Sequence, residues 1–531
     1  MYKAKHTAKA INKRKRGNSV FQAAGILMIT MMLSRVLGFV RDITISSIFS
    51  AGRYADVYTA AFTIPDLIYF ALVGGALSSA FIPVFSGYLA NHKEEDAYIV
   101  ASTILNLVSI AALVLIALGM IFTPQLVDLL FQFEDEETIA LTILLTRVMF
   151  AQCFFMCLAG ISQGILQCYK EFAIPAFGAV VYNIAIIVVG LLLHQKFGIL
   201  GFTLGVVVGS MLNLAMQIPA MVRYQFKYRP VIDLHHPGVK KFFLLFMPVI
   251  LGLSMNELNL IVSQALASGL SEGTIYALKQ AQRIMMLPVG IFAASIGLSV
   301  FPTMTSHVAR GEMAEYKQHL TMGLRTIIFI TLPAAVGLAA LSHPVVRAMY
   351  LQLEVTPAQV DMIAVCLVFY CIGLVGYSAQ QILNRGFYAV EDTKSPVLIN
   401  VFVLVFNIVA SFLLVGPLEH RGLAMAYSLS GLLSMVVLGV FLRRKIGPYG
   451  GRALLKSALQ SIIASVVMGI AVYAAAAGME QVLDMSSKLM QIGQVCVGVG
   501  VGVMVYAVMV IAMKMEEAQQ VLRIVKRKLH R

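Results

Sequence analysis

Fourteen apolar stretches separated by short polar links organise this chain, and no other feature restricts its fold as strongly. They cover residues 20–49, 57–87, 99–123, 138–167, 173–194, 198–222, 242–268, 274–304, 321–342, 357–388, 394–415, 421–442, 457–478 and 489–513. A helix needs about 20 apolar residues to cross a bilayer. Inside hydrocarbon every backbone N–H and C=O must be paired within the protein. The pattern therefore predicts an all-α polytopic membrane protein with 14 transmembrane helices. Composition agrees, with 59% apolar and 12% charged residues, where soluble domains hold roughly 45–50% and 25%. A soluble enzyme, a coiled coil and a disordered chain are excluded. Stretches one, two, seven, eight and ten exceed a minimal span, which predicts tilting or bending.

The formal charge is +14. Its distribution argues against nucleic acid, because the excess lies in short links between apolar stretches, as in the cytoplasmic loops of membrane proteins. With both termini in the cytoplasm, the cytoplasmic segments hold 30 of the 40 Lys and Arg residues. Seven precede Gly17, five lie in 223–241, five in 443–456 and six in 514–531, and shorter loops supply the other seven. The outer loops hold only Arg53, Lys196, Arg347, Arg421 and Lys488, together with the acidic run Glu134–Glu137. The basic stretch before Gly17 looks like the start of a signal peptide. The apolar run that follows contains Arg35, continues to Phe49 and lacks an A-x-A site, so it reads as a retained first helix.

The six cysteines form no C-x-x-C pair and read as small apolar helix residues. His235-His236 has no third ligand nearby, and no P-loop, H-E-x-x-H or G-x-S-x-G motif is present. The sequence points to no enzyme and no cofactor, so work must come from an ion gradient (Na⁺ or H⁺), the membrane potential or the substrate gradient.

A weak repeat runs through the chain at an offset near 220 residues. A-L-S-S-A-F-I-P-V-F-S at 76–86 echoes I-G-L-S-V-F-P-T-M-T-S at 296–306, and the stretches opening at Gly198 and near Gly422 correspond. The expected organisation is a basic N-terminus at 1–19, an N-lobe of helices one to six at 20–222, a linker at 223–241 and a C-lobe of helices seven to twelve at 242–442. Two further helices follow at 443–513, and a basic amphipathic tail at 514–531 lies on the inner membrane surface. Parallel repeats of this kind place a substrate site between lobes, near the bilayer midplane.

Ionisable groups inside spans cost about 2.5–3.5 kcal/mol each on insertion scales and by default face a cavity or a partner. The first cluster is Ser34 to Asp42, S-R-V-L-G-F-V-R-D, with Arg35 and Asp42 close to one helical face and Arg41 a third of a turn away. An Arg35–Asp42 pair would neutralise one arginine and leave the other. The second cluster is Lys279, Gln280 and Arg283. Lys279 and Arg283 share a face at i, i+4 and repel. A partner such as Glu257, or an anion, would relieve them. Four cations and few acids predict a central cationic cavity for an anionic substrate, and guanidinium forks match phosphate oxygens two at a time. Asp56 and Asp66, at the outer end of stretch two, are placed to order Arg41 or Arg53. Pro65, Gly74-Gly75, Pro83, Pro288, Gly290, Gly297 and Pro302 mark bends. Asn256, Glu257, Asn259, Asn400 and Asn407 offer oxygen ligands for a monovalent cation, with interhelical hydrogen bonding as the plainer role.

S-R-V-L-G-F-V-R-D at 34–42, A-D-V-Y-T-A-A-F-T-I-P-D at 55–66, G-A-L-S-S-A-F-I-P-V-F at 75–85 and A-Q-R-I-M-M-L-P-V-G-I at 281–291 resemble the MurJ/MviN lipid II flippases of the multidrug/oligosaccharidyl-lipid/polysaccharide exporter superfamily. The resemblance covers essentially the whole chain. It implies a bacterial inner-membrane protein with two lobes around a cationic cavity. Its cargo would be the undecaprenyl-pyrophosphate-linked peptidoglycan precursor, moved from the inner to the outer leaflet, with its tail in lipid or a hydrophobic groove. The family's functional arginines fall on Arg35, Arg41 and Arg283, and its aspartate on Asp56. Where many members carry arginine and Glu-Gly-Ala in helix two, this chain has Tyr69 and Gly74-Gly75-Ala76, and Lys279 is placed to replace the missing cation. A sodium site of the family, on helices seven and eleven, would correspond to Glu257 and Asn407. Expected partners are lipid II, membrane lipids and cell-wall synthesis proteins, with no nucleic acid and a monomeric state. The alternatives are a flippase for another polyprenyl-linked oligosaccharide and, in a different class, a membrane-embedded cell-envelope transferase.

Overall fold

The computed structural model describes residues 30, 32–74, 80–350, 355–482, 484–485 and 487–519, with side chains of 248–256 excepted. The basic N-terminus at 1–19, Gly75-Ala76 and the tail beyond 519 lie outside the described residues. Among the described residues there is no strand. Helix α1 spans 32–49. It is followed by α2 (Arg53–Ala61), α3 (Thr63–Tyr69), α4 (Ile82–Ala90), α5 (Glu94–Leu130), α6 (Glu136–Cys168), α7 (Ala173–Phe197), α8 (Ile199–Arg223) and α9 (Pro237–Ser268). The remainder are α10 (Thr274–Pro288), α11 (Ala294–Ala309), α12 (Met313–Ala340), α13 (Ser342–Tyr350), α14 (Pro357–Ala389), α15 (Lys394–Leu418), α16 (His420–Ile446), α17 (Gly451–Val482) and α18 (Lys488–Ala512).

Each apolar stretch is met by helix. Among the described residues, eleven helical runs are long and apolar enough to cross a membrane, and one of them, Lys394–Ile446, holds both α15 and α16. Helix α13 was not expected. Its segment, S-H-P-V-V-R-A-M-Y, is too short and polar to register as a span. Arg325 and Arg385, counted with the short loops, lie well inside α12 and α14, within the apolar stretches 321–342 and 357–388.

The helices are built inside out relative to a soluble protein. Helix α16 buries Gly422, Ala424, Ala426, Ser428, Ser430, Gly431 and Ser434, while Val436 and Val440 are exposed. Leu192, Leu413 and Leu489 are likewise 70–75% exposed. Between membrane helices apolar burial gives little gain over lipid, so small residues that admit close backbones make the contacts. An added Cβ at Gly376 of α14 would strike the Gly431 backbone of α16, and Gly373 packs on Ser428. Polar side chains stitch the same region, with Asn407 Nδ2 donating to Ser430 Oγ at 2.9 Å and Gln380 Nε2 to Asn400 Oδ1 at 3.1 Å.

Helix ends follow local chemistry. Thr356 and Gln359 form a reciprocal capping box ahead of α14, with Pro357 at the first helical position. Asp135, within the acidic run, accepts from Thr138 N and opens α6.

The repeat is written in the backbone. Outside the helices, residues with positive φ occur at His92, Lys170, Gly198 and Gln225, and again at Gly311, Glu391, Glu419 and Gly447. Each pair is separated by about 220 residues and ends or links corresponding helices. π-helical segments occur in two corresponding helical runs, at Phe70–Gly74, where the described part of the first run ends, and within the second at Val289–Ala293. The chain forms two compact units. One comprises residues up to Phe49 with Val57–Leu258, and the other comprises Ser50–Asp56 with Asn259 onward.

Candidate functional site

The first unit carries Arg35 and Arg41 on α1. Arg35 is exposed. Arg41 is largely buried, its side chain 15% exposed, and its Nε and Nη2 both lie 2.8 Å from Asp42 Oδ1. Asp42 is buried, so Arg41 has an adjacent counter-ion that i, i+7 spacing alone would not assign. The second support comes from α7. Arg41 Nη1 donates to Asn183 Oδ1 at 3.5 Å, and Asn183 Nδ2 donates to Ala179 O at 2.9 Å and Ser34 Oγ at 3.4 Å. Ser34 thus belongs to the frame that holds Arg41 rather than to an exposed face. A charge-assisted bond to a carboxylate fixes a guanidinium's direction while leaving its remaining N–H groups free to donate. Tyr69, at the end of α3, is half-buried against the cluster built on Ile68, Val73, Phe81 and Phe85. It fills space at a position where the resemblance implies a cation.

The second unit carries Lys279, Gln280 and Arg283 on α10. Lys279 and Arg283 are half-buried. Gln280 is buried and accepts from Tyr350 Oη of α13 at 3.1 Å, so the unexpected short helix braces the cationic one. Asp56 occupies a role the sequence did not reveal. It is buried, and its Oδ2 and Oδ1 accept from the backbone N–H groups of Gly273 and Tyr276, each at 2.7 Å. These are orphan donors at the N-terminus of α10, where a carboxylate also meets the positive end of the helix dipole. Asp56 therefore positions α10. Gly273 accepts this approach at φ 86°, where an added Cβ would strike Ala51 O.

Sequence reasoning missed Arg385. It lies within α14, and its Nη1 donates to Ala294 O at 3.2 Å, at the end of the π-helical turn. An added Cβ at Gly297 would collide with its guanidinium. A π turn leaves carbonyls poorly served by the helix ladder, and such turns cluster at functional sites. The in-span rule that singled out Arg283 applies equally to Arg385.

Among the described residues no cluster of three or more His, Cys, Asp or Glu is placed to hold a metal ion. His235 is exposed and His236 Nε2 lies 3.7 Å from Asp96 Oδ1. Asn407 Oδ1 accepts from Ser411 Oγ at 3.5 Å. With its amide given to Ser430, Asn407 acts as an interhelical link, and Glu257 is half-buried on α9.

Comparison with known proteins settles the family. The family model described as "Lipid II flippase MurJ" matches residues 45–492. The chain belongs to the MurJ lipid II flippase family. A "Probable lipid II flippase MurJ" of Buchnera aphidicola subsp. Acyrthosiphon pisum is 30% identical over 411 residues, covering 77% of this chain and 80% of the relative. The solved "Lipid II flippase MurJ, inward closed conformation" superposes with a TM-score of 0.76 at 25% identity, covering 92% of this chain and 99% of that one. An inward-facing multidrug resistance MATE family transporter of the MOP superfamily matches at TM-score 0.65 and 15% identity, over 82% of this chain and 99% of that one, and shares the fold.

Proposed function

We propose that this multi-pass membrane protein moves lipid II, the undecaprenyl-pyrophosphate-linked peptidoglycan precursor, from the inner to the outer leaflet of the bacterial inner membrane. The family match over 45–492 carries the reading. Arg35, Arg41, Lys279 and Arg283 are the residues we assign to the pyrophosphate, because guanidinium and ammonium groups retained within spans offset two negative charges that would otherwise have to leave water. Gln280 and Asp56 keep α10 in register for that role, and Asn183, Ser34 and Asp42 aim Arg41. The isoprenoid tail remains in the acyl phase while the head group changes side by alternating access.

Both termini lie in the cytoplasm on this reading, supported by the bias of Lys and Arg among the links. The protein acts as a monomeric transporter, not as an enzyme, and a monovalent cation gradient or the membrane potential supplies the work. Contacts with cell-wall synthesis proteins belong to the same proposal.

The deciding experiment measures thermal stabilisation of the purified protein by lipid II, lipid I, undecaprenyl pyrophosphate and undecaprenyl phosphate. Lipid II should stabilise most, and the gain should fall when Arg283 is replaced by alanine. A larger gain from a different polyprenyl-linked glycan would reassign the cargo.

A further inference from the structure

The link between α8 and α9 is tied down along its length. Phe226 packs edge-on against Phe85 and Tyr98, with ring centroids 6.4 and 5.5 Å away. From there the non-helical run to Asp233 lies along α5. Arg229 N donates to Ser102 Oγ at 2.9 Å, Asp233 N donates to Thr103 Oγ1 at 3.2 Å, and Val231 O accepts from Asn106 Nδ2 at 3.0 Å. Tyr228 Oη donates to Asn106 Oδ1 at 2.7 Å, and Arg229 Nη2 meets Glu95 Oε2 at 2.7 Å. Ser102, Thr103 and Asn106 stand in the first turns of the apolar stretch 99–123, and it is the link that answers their polarity.

The position of these contacts along α5 sets the depth of the link. Helix α5 holds 37 residues, about 55 Å at 1.5 Å per residue, against a hydrocarbon core of about 30 Å. Shared between both ends, the excess leaves about 12 Å of α5 outside the core at each. Ser102 to Asn106 lie eight to twelve residues from its start, about 12–18 Å along it. The link therefore runs at the boundary between head groups and acyl chains. Water is scarce at that depth, and backbone polar groups need partners from the protein. The α5 side chains supply them, and Pro230 has no N–H to satisfy.

The exposed side chains of the link match the same boundary. Ile232 is 48% exposed, and Leu234 and Tyr228 are each 52% exposed. Arg223, Lys227, Lys240 and Lys241 are exposed as well. The one acid of the link, Asp233, accepts at Oδ1 from the N–H groups of His235 and His236, at 2.9 and 3.1 Å. Exposed apolar side chains flanked by an excess of cations fit an anionic lipid surface. We infer that the α8–α9 link is an interfacial anchor for anionic phospholipid. Ile232 and Leu234 enter the acyl region, the Tyr228 ring lies among the head groups, and Lys227 and its basic neighbours meet the phosphates. Anchoring is independent of the transported cargo, and its assignment to the inner leaflet rests on the orientation proposed above.

The chain has no tryptophan, so Leu234→Trp places a single fluorophore on the anchor. The full-length variant is reconstituted in vesicles of phosphatidylcholine with and without phosphatidylglycerol. Quenching by lipids brominated on their acyl chains is compared with quenching by aqueous acrylamide. The indole should emit at short wavelength, be quenched by the brominated chains and be shielded from acrylamide. Brominated phosphatidylglycerol should quench more strongly than brominated phosphatidylcholine. Lys227→Gln should reduce that preference about fivefold, the scale of one cation near an anionic surface. Ile232→Trp serves where the Leu234 variant does not fold. Acrylamide quenching without bromine quenching would overturn the anchor and mark the link as a water-facing surface for a protein partner. Equal quenching by the two brominated lipids, or a preference that Lys227→Gln leaves unchanged, would overturn the assignment to anionic lipid. Neither readout involves lipid II, so failure here is distinct from failure of the flippase reading.

Discussion

Asp56 shows how a single side chain can fix the helix that carries two of the proposed cargo-binding cations. Its carboxylate satisfies two buried N–H groups at the head of α10, the helix that bears Lys279 and Arg283. Removing a buried acceptor leaves each donor unpaid at about 1–3 kcal/mol. Asp56→Ala should therefore lower the thermal midpoint and transport together, while Asp56→Asn, which keeps one acceptor oxygen, should retain part of both. Asp392 offers a pH-dependent counterpart. Burial raises its carboxyl, but Lys445 Nζ at 2.6 Å and the Ser395 N–H and hydroxyl outweigh it and hold the group at about 2. A depressed value means that its contribution is complete above the ordinary aspartate value of 3.8 and is lost as pH falls through about 2. Wild type should lose more stability than Asp392→Asn between pH 5 and 2, as followed by thermal melts; equal losses would dismiss the pair. The sequence made the cations of α1 and α10 legible because ionisable groups in apolar runs are conspicuous. It could not disclose that Asp42 serves Arg41, since a flexible side chain reaches across the 100° that separates adjacent helical positions. Nor could it disclose a cap supplied by Asp56 from more than 200 residues away.

At the scale of elements, the chain repeats its turns more faithfully than its residues. Gly198 and Glu419 occupy the same backbone conformation, φ 58° and ψ −138° against φ 51° and ψ −129°, between α7 and α8 and between α15 and α16. That region is nearly exclusive to glycine. Glu419→Gly should therefore stabilise the protein by about 1 kcal/mol, and Gly198→Ala should destabilise it by about 1–3 kcal/mol, with midpoints shifting in opposite directions. The tight packing of each helical pair has the same origin. Gly201 rests on the Leu193 backbone and Gly422 on that of Leu414, so a Cβ at either must displace main chain. Glycine at 198 and 422 was visible as punctuation, but the conserved turn geometry was not, because glutamate replaces glycine at one of the two. The π-helical turns were legible only as bends around Pro65 and Pro288.

For the whole molecule, apolar periodicity was enough to predict an all-helical membrane protein, and short motifs were enough to suggest its family. The polar link between stretches 394–415 and 421–442 already separates α15 from α16 in the sequence, but does not reveal that the two helices meet with Glu419 alone between them in one 53-residue helical run. Transport by the proposed route makes the two cationic clusters independently necessary. The most direct measurement replaces Arg35, Arg41 and Arg283 singly by alanine in a strain depleted of its own flippase and scores lipid II exposed on the outer face, with membrane levels of each variant checked in parallel. The account predicts normal protein levels and loss of exposed lipid II for all three. Wild-type exposure of lipid II in these variants would contradict it.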